Sequence, residues 1–298
     1  MEKQKDIYPV SGLCRVLRLS EAAYYAWHKG QTYRLSQKKS SLADRVKAVF
    51  YLHRRRYGAR RISAELKAEG VAVGRRLAGT LMRKQSLTAI GPKRFVPKTT
   101  DSKHSFGYSP NLLKESVGEP IEKGQVMVGD ITYLPLQNGR FCYLATIQDK
   151  FTRRIVGWQV SERMTTQLVL DALDRARSRC LIRRGAIIHT DRGSQYASVE
   201  YRRLLYINGF RQSMSAKGNC YDNAQAESFF SRFKAELIEG GSFESVEQAK
   251  SEIFSYIEGY YNRIRRHSSL GYLSPLDFEK QIKIKNGGMK ESFVSCFS

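Results

Sequence analysis

The sequence predicts an α/β protein with a mixed five-stranded sheet, helices on both of its faces, and a helical N-terminal region that contains a helix-turn-helix. Three observations predict this fold. Short β-branched and aromatic runs follow one another between residues 125 and 160. Beyond them, strand and helix patterns alternate, as in α/β domains with parallel strands. Before residue 91 the apolar spacing is that of helices.

The first segment, residues 1–40, predicts two short helices joined by a turn. Apolar residues recur from Val10 to Leu19, and the run SEAAYYAW follows from Ser20. Serine is a preferred helix N-cap because its hydroxyl accepts a hydrogen bond from a free backbone N–H. We therefore expect the second helix to begin at Ser20.

Residues 41–90 predict a helix-turn-helix domain. A helix from about Leu42 to Arg56 ends in the basic run HRRR, Gly58 interrupts it, and further helices are expected over 59–70 and 74–84. A basic helix that follows a short turn is typical of domains whose second helix enters the DNA major groove. Helix pairs also occur in bundles that bind no DNA. From the basic side chains we predict DNA contacts by Arg60, Arg61, Arg75 and Arg76.

Residues 91–124 predict a linker or extended arm, because they are rich in proline and glycine and carry few periodic apolar positions. The compact core is expected over residues 125–282, and residues 283–298 form a C-terminal tail.

The core begins with three predicted antiparallel strands over 125–136, 141–151 and 153–160. Asn138-Gly139 is a typical hairpin turn between the first two. A helix over 166–179, a strand over 186–190, a helix over 198–208, a strand over 210–213 and a helix over 223–236 follow. The fourth strand is expected to run parallel to the first.

Three acidic residues occupy unusual places in this pattern. Asp130 interrupts an apolar strand, Asp191 follows the strand AIIHT, and Glu227 lies in the last of these helices. A carboxylate on a buried strand is costly without a cation. If the first and fourth strands are neighbours, Asp130 and Asp191 converge, and the helix can bring Glu227 over them. Hard oxygen ligands suit Mg²⁺, and two ions ~3.5–4 Å apart can support an in-line phosphoryl transfer. Taken singly, Asp191 could cap a turn and Glu227 could face solvent.

Four segments carry a resemblance to a known family: GDITYL (129–134), HTDRGSQY (189–196), GNCYDNAQAESFFSRFKAEL (218–237) and RRHSSLGYLSP (265–275). They are similar to those of the IS-three group of insertion-sequence transposases, which are related to retroviral integrases. Thirty-five residues separate Asp191 from Glu227, the acid spacing of that family. YGARRI (57–62) resembles the family's helix-turn-helix region, so the resemblance covers nearly the whole chain.

The resemblance implies an RNase H-like integrase core in which Asp130, Asp191 and Glu227 hold two Mg²⁺ ions, with Mn²⁺ able to substitute. It implies a DDE-type transposase that nicks element-end DNA and joins the 3′-hydroxyl to another phosphodiester. Lys234 resembles a basic residue that holds end DNA, although an ordinary surface lysine would look the same. Lys217, Arg265 and Arg266 are further expected DNA contacts; for the two arginines a solvated turn is the alternative. The family often works as a fusion with an upstream reading frame, and this chain resembles the downstream half.

Composition agrees with a DNA-acting protein. The chain of 298 residues carries 51 Lys and Arg against 28 Asp and Glu, a net charge of +23. Residues 1–118 contribute 25 basic and 8 acidic side chains, net +17, and the rest contribute 26 and 20, net +6. This distribution favours phosphate binding by the N-terminal part. We expect a cytoplasmic, nucleoid-associated protein, since no signal peptide or membrane span is visible. The five scattered cysteines predict neither disulfides nor a structural zinc.

The sequence thus predicts a transposase that acts on double-stranded DNA, as a homo-oligomer, alone or with an upstream-frame helix-turn-helix product. Two alternatives remain at this point. One is a nuclease that hydrolyses DNA without joining it. The other is a DNA-binding regulator that retains the fold without using metals; three carboxylates facing a polyanion argue against it.

Overall fold

A computed structural model describes residues 7–30, 37–92, 107–115, 120–179, 181–215 and 224–286. The chain falls into two compact units, Met1–Ala89 and Ile90–Ser298. Across the described ranges, no helix is both long and apolar enough to cross a membrane.

The first unit is helical, as the sequence predicts. Ser20 accepts a hydrogen bond from the backbone N–H of Ala23 at 3.1 Å, so the expected N-cap is confirmed. The third helix ends earlier than predicted, because Arg54 and Arg55 adopt left-handed backbone with φ of 50° and 63°. The helices are α1 (Val10–Val16), α2 (Glu21–His28), α3 (Gln37–Leu52), α4 (Ala59–Ala68) and α5 (Arg75–Lys84).

Helices α3, α4 and α5 pack through apolar side chains at helical spacing. The buried set is Val46, Val49, Phe50, Ile62, Leu66, Ala78, Leu81 and Met82. Gln85 donates from its amide to the carbonyl of Ala43 at 3.0 Å and so ties the end of α5 to α3. The three helices form one small core, and the polar faces of α4 and α5 remain outside it.

The second unit is built on a five-stranded sheet in the order β3-β2-β1-β4-β5. β1 pairs antiparallel with β2, and β2 pairs antiparallel with β3. β4 runs parallel to β1 and to β5, which confirms the predicted direction of the fourth strand. The strands are β1 (Val126–Pro135), β2 (Phe141–Asp149), β3 (Ile155–Ser161), β4 (Ile187–Thr190) and β5 (Arg211–Met214).

The turn between β1 and β2 is the predicted Asn138-Gly139 hairpin. Gly139 has a φ of 77°, a conformation that glycine adopts without steric cost. The side chain of Asn138 accepts a hydrogen bond from the backbone N–H of Arg140 at 3.0 Å. The turn sets the register in which Asp130 faces Thr146 across the two strands.

Helices cover both faces of the sheet. One face carries α7 (Thr166–Ser178), α8 (Ser194–Ala197) and α9 (Val199–Ile207), and the other carries α10 (Ala224–Phe233) and α11 (Val246–Phe254). The short α6 (Leu112–Glu115) lies at the β5 edge, where the N–H of Leu112 donates to Ser213 Oγ at 3.0 Å. α12 (Pro275–Asn286) ends the described chain. The resulting mixed sheet with helices on both faces confirms the predicted fold class.

Two π-helical segments extend the helices of the second face. The helix predicted over 223–236 leaves α geometry after Phe233 and continues as a π-helix over Lys234–Ile238. α11 continues in the same way over Ser255–Tyr261. π-helical turns are rare and occur frequently at functional sites. Neither segment was anticipated, because the sequence pattern predicts only ordinary helical spacing.

Candidate active site

Asp130 and Asp191 occupy equivalent positions on neighbouring parallel strands. The last paired residues of β1 and β4 are Val128 and His189. Each aspartate lies two residues further on, so the parallel register brings the two carboxylates to the same point of the sheet. The predicted convergence of these two residues therefore follows from strand order alone.

The backbone beside each aspartate orients its side chain. Asp130 Oδ1 accepts a hydrogen bond from the N–H of Ile131 at 2.9 Å, and Asp191 Oδ1 accepts one from Gly193 at 3.0 Å. A Cβ on Gly129 would lie only 3.1 Å from Thr190 Cγ2. Glycine at position 129 therefore allows β1 to approach β4 closely just before the two acids.

The carboxylates repel one another. Burial raises the pKa of Asp130 well above its usual value, and the charges of Asp191 and then Glu227 raise it further. Two carboxylates that disfavour each other's ionisation form a site that a divalent cation stabilises. The donor set consists of hard oxygens, which matches Mg²⁺ with one or two carboxylates and the remaining positions filled by water or phosphate.

Glu227 approaches this pair from α10 but does not join it closely. Phe229, Phe230 and Phe233 are buried on the sheet side of α10, whereas Glu227 is exposed beside them. Burial raises the pKa of Glu227. Within the described ranges, no group of three His, Cys, Asp or Glu side chains is close enough together to hold one ion. The structure thus assembles the two aspartates and places Glu227 within electrostatic reach of Asp130.

Lys234 lies on the same side of the site as the acids. Its ammonium group is 4.4 Å from the centre of the Tyr133 ring, three residues beyond Asp130 on β1. Burial lowers the pKa of Lys234, and the nearby charge of Asp130 opposes that shift. Lys234 is therefore a half-buried cation near the carboxylates, and its contact with DNA stays a prediction.

A second cation next to Asp191 was not among the predicted binding residues. The guanidinium carbon of Arg192 lies 4.6 Å from the centre of the Tyr108 ring, and Arg192 Nε donates to the carbonyl of Ser215 at 2.8 Å. Tyr108 belongs to the segment predicted as a linker. Its docking here brings an aromatic ring to the active-site edge, which helical or strand periodicity could not have indicated.

Tyr196 lies beneath the two aspartates. Its side chain is 1% exposed, and its hydroxyl has no hydrogen-bond partner among the described residues. Burial raises its pKa first, followed by the charges of Tyr201, Asp130 and Asp191. His189, in contrast, is a packed strand residue: it is fully buried and its Nδ1 lies 2.8 Å from Ser213 Oγ.

Arg265, which the sequence predicts to contact DNA, is buried in the structure. Arg265 is 2% exposed, and its Nε and Nη2 donate to the carboxylate of Glu236 at 2.8 and 2.6 Å. Although burial by itself lowers its pKa, the hydrogen bonds and charge of Glu236 raise the pKa of Arg265 overall. Its guanidinium is turned into the protein, away from any phosphate in solvent. The adjacent Arg266 is half-buried and donates to the carbonyl of Tyr272 at 2.9 Å.

The basic residues predicted in the helical unit keep outward positions. Arg60, Arg75 and Arg76 are exposed, and Arg61 is half-buried, with its guanidinium carbon 5.7 Å from the Tyr57 ring centre. Lys217 lies outside the described residues, and so do the five residues from Asn219 to Asn223 that precede α10.

Family models match both units. A model described as "HTH-like domain" matches residues 37–95, and two models described as "Integrase core domain" match residues 121–220 and 208–275. The two integrase-core matches overlap, and together they span the sheet, both aspartates and α10.

The chain is similar to transposases of bacterial insertion sequences. It is 40% identical over 286 residues to "Transposase InsF for insertion sequence IS3A" of Escherichia coli (strain K12), covering 94% of this chain and 97% of that protein. It is 43% identical over 239 residues to "Transposase for insertion sequence element IS904" of Lactococcus lactis subsp. lactis (strain IL1403), covering 80% and 93%.

Two solved structures are more distant. A simian T-cell lymphotropic virus intasome in complex with PP2A regulatory subunit B56 gamma has a TM-score of 0.44 at 15% identity, covering 78% of this chain and 73% of that one. The HTLV-2 integrase catalytic core domain in complex with magnesium has a TM-score of 0.41 at 12% identity, covering 53% and 97%.

Proposed function

The chain belongs to the IS3-type insertion-sequence transposases, which have an integrase core domain, and on that premise we propose that it nicks its element ends and joins each freed 3′-hydroxyl to another phosphodiester. The observation that carries the proposal is the pairing of Asp130 with Asp191 at one point of the sheet, with Glu227 within electrostatic reach. Nicking and joining are both phosphoryl transfers, which differ only in the attacking oxygen.

We propose that Asp130, Asp191 and Glu227 would hold two Mg²⁺ ions, with Asp130 as the acid common to both sites and Asp191 and Glu227 as the further ligands. The mutual repulsion of the carboxylates supports this, since it is relieved by cations. The ions supply activation of the attacking oxygen and neutralise charge on the departing one. The exposed Glu227, whose charge acts on Asp130, supports the third assignment.

The chain's own residues have separable tasks in this reaction. The N–H groups of Ile131 and Gly193 hold the carboxylates of Asp130 and Asp191 in one orientation. Lys234, near Asp130, supplies positive charge where a DNA phosphate must approach the acids. The Tyr133 ring beneath its ammonium limits where that charge can lie.

We assign DNA binding outside the active site to residues 41–90, and catalysis to residues 125–282. The exposed Arg60, Arg75 and Arg76 support the first assignment, because exposed cations on adjacent helices can each pair with a phosphate. Since the substrate is DNA of the host cell, we place the protein in the bacterial cytoplasm, bound to the nucleoid. Action as a homo-oligomer, alone or with an upstream-frame helix-turn-helix product, is part of the same proposal.

The test is a strand-transfer assay on labelled duplexes with the element's end sequences. The chain is incubated alone and with any upstream-frame product, with Mg²⁺, with Mn²⁺ and with chelator. Nicked and joined products are expected with either metal and none with chelator. Nicks without joined products would favour the nuclease, and binding without cleavage would favour the metal-independent regulator.

A further inference from the structure

The helix that carries Glu227 is held near its C-terminal end by buried hydrogen bonds to Glu236. Glu236, nine residues after Glu227, receives both guanidinium hydrogen bonds of Arg265 and a third from the Tyr256 hydroxyl at 2.9 Å. The side chains of Arg265 and Glu236 are 3% and 2% exposed. Both carboxylate oxygens of Glu236 are therefore occupied inside the protein.

The start of the same helix is tied to the same region of the chain. Gln225 donates to Gln148 Oε1 at 3.1 Å, and Gln148 Nε2 lies 2.9 Å from the Tyr261 hydroxyl. The Tyr261 ring centre is 5.6 Å from the guanidinium carbon of Arg265. A continuous series of contacts thus links Gln225, two residues before Glu227, to Glu236 through Gln148, Tyr261 and Arg265.

Residues 255–267, called the brace below, contribute Tyr256, Tyr261 and Arg265 to these contacts. The brace also packs against the buried face of α10, with the Phe229 and Tyr261 rings 5.0 Å apart and the Phe233 and Tyr256 rings 5.3 Å apart. These ring contacts hold the helix against the brace but permit small rotations about its axis. Directional hydrogen bonds at both ends restrict rotation and sliding, because their strength depends on angle and distance.

The π-helical segments make this arrangement possible. Glu236 lies in the first segment and Tyr256 and Tyr261 in the second. A buried ion pair often contributes no more stability than well-packed apolar residues of similar volume. Two rare helical turns that both direct polar groups into one buried cluster indicate a requirement for geometry rather than for stability.

We propose that the brace sets the position of α10, and through it the distance of Glu227 and Lys234 from the two aspartates, with Arg265 as a positioning residue. This inference rests on the proposed function for its catalytic consequence. It gives the RRHSSLGYLSP motif a role that does not involve contact with phosphate. The cluster acts from behind the helix, since Glu236 is buried while Glu227 is exposed.

The experiment compares conservative changes in the brace with a matched control. Arg265→Lys keeps the charge but loses the two-pronged geometry, and Tyr256→Phe removes one hydrogen bond. The double variant Glu236→Met with Arg265→Met replaces the ion pair by apolar side chains. The control is Arg154→Lys, because Arg154 pairs with Glu279 of α12 at 3.0 Å with side chains 19% and 13% exposed. Joining rate, dissociation constant for end DNA, and melting temperature with and without Mn²⁺ are measured on the full chain.

Arg265→Lys and Tyr256→Phe are expected to lower the joining rate by ~10- to 100-fold, because misplacement of a catalytic group by about 1 Å has effects of this size. The dissociation constant for DNA should change by less than about twofold, since no phosphate contact is lost. The Mn²⁺-induced rise in melting temperature should shrink. The double Met variant should keep the wild-type melting temperature without Mn²⁺ and still join poorly, whereas Arg154→Lys should join normally.

Several results would overturn the inference. Weaker DNA binding with a shallower salt dependence in Arg265→Lys would make Arg265 a phosphate ligand. Normal joining by the double Met variant would make the pair merely structural. If the wild type bound Mn²⁺ but neither nicked nor joined DNA, the proposed function would fail. The Mn²⁺-induced rise in melting temperature, compared between wild type and variants, would still test whether the brace positions α10. A wild type that neither joined DNA nor showed a Mn²⁺-induced rise in melting temperature would contradict both the proposed function and the role of the brace.

Discussion

The first unit, which is helical (Met1–Ala89), and the second unit, which contains the sheet (Ile90–Ser298), differ in how far their charged side chains are exposed. In the helical unit, Arg60, Arg75 and Arg76 stand exposed on two adjacent helices. In the second unit (Ile90–Ser298), the contrasting charges are two half-buried aspartates that converge at one point of the sheet, and the buried pair of Arg265 with Glu236. Exposed like charges act additively on a polyanion, whereas buried charges depend on single partners.

The difference teaches where substitutions should have graded effects and where they should have severe ones. If the exposed arginines bind phosphates as proposed, loss of one of them removes one contact among several. Loss of one carboxylate at the proposed metal site, or of one side of the buried ion pair, leaves its partners without compensation. Four variants, in order of decreasing expected effect, can break or sharpen this contrast.

Glu227→Gln should have the largest effect. The change keeps the shape of the side chain but removes the negative charge that helps to hold a divalent ion, so joining should fall by at least ~100-fold. DNA affinity should not fall, because losing a negative charge cannot weaken attraction to a polyanion. Strand-transfer and binding assays beside Asp130→Asn and Asp191→Asn test this, with the exposed Glu247→Gln as control. Near wild-type joining would show that another acid is the third ligand.

Lys234→Glu should reduce joining by about tenfold or more, because it reverses a half-buried charge near Asp130 in a site where solvent screens weakly. Its melting temperature should change much less than its joining rate. The charge-matched control is Lys250→Glu on α11, an exposed lysine outside the site. Equal rates for the two variants would return Lys234 to the status of a surface lysine.

The double variant Arg75→Ala with Arg76→Ala should weaken DNA binding in a graded and salt-dependent way. The slope of log affinity against log salt should decrease by about two, roughly one for each lost phosphate contact. Arg45→Ala is the control in the same unit, because Arg45 is already paired with Glu69 at 2.7 Å. An unchanged slope in the double variant would place the phosphate contacts on other residues.

Tyr201→Phe should have the smallest effect, and in the opposite direction. The Tyr201 hydroxyl is fully buried without a partner among the described residues, so its removal should raise the free energy of unfolding by roughly 1 kcal/mol. Joining should not change, since burial raises the pKa of Tyr201 above its usual value and the hydroxyl takes no part in any titration of the site. Denaturant unfolding gives the measurement. A loss of stability would indicate that the hydroxyl has a water partner.

Much of the fold was predictable because it depends on periods and turns that are local in sequence. The strand runs between 125 and 160, the Asn138-Gly139 turn and the Ser20 cap all appear in the structure. The position of Asp130 and Asp191 was also predictable, because each follows a recognisable strand and parallel neighbours bring equivalent positions together. The acid spacing to Glu227 came from the resemblance rather than from periodicity.

The fate of the charged motif at 265–267 was not predictable in the same way. The sequence there shows a basic cluster. It does not show that Arg265 is buried, because the residue that pairs with it, Glu236, lies 29 residues earlier. The same holds for Tyr108, which meets Arg192 across a long stretch of chain, and for the two π-helical segments.

By itself, then, the sequence determined the class of fold, the order of strands and helices along the chain, and the convergence of Asp130 with Asp191, since these follow from local side-chain pattern and strand topology. Only the tertiary structure decided which charges are buried and which remain exposed. The reason is physical: desolvation and ion pairing depend on what surrounds a group in space, and contacts such as Arg265 with Glu236 exist only after distant segments have packed.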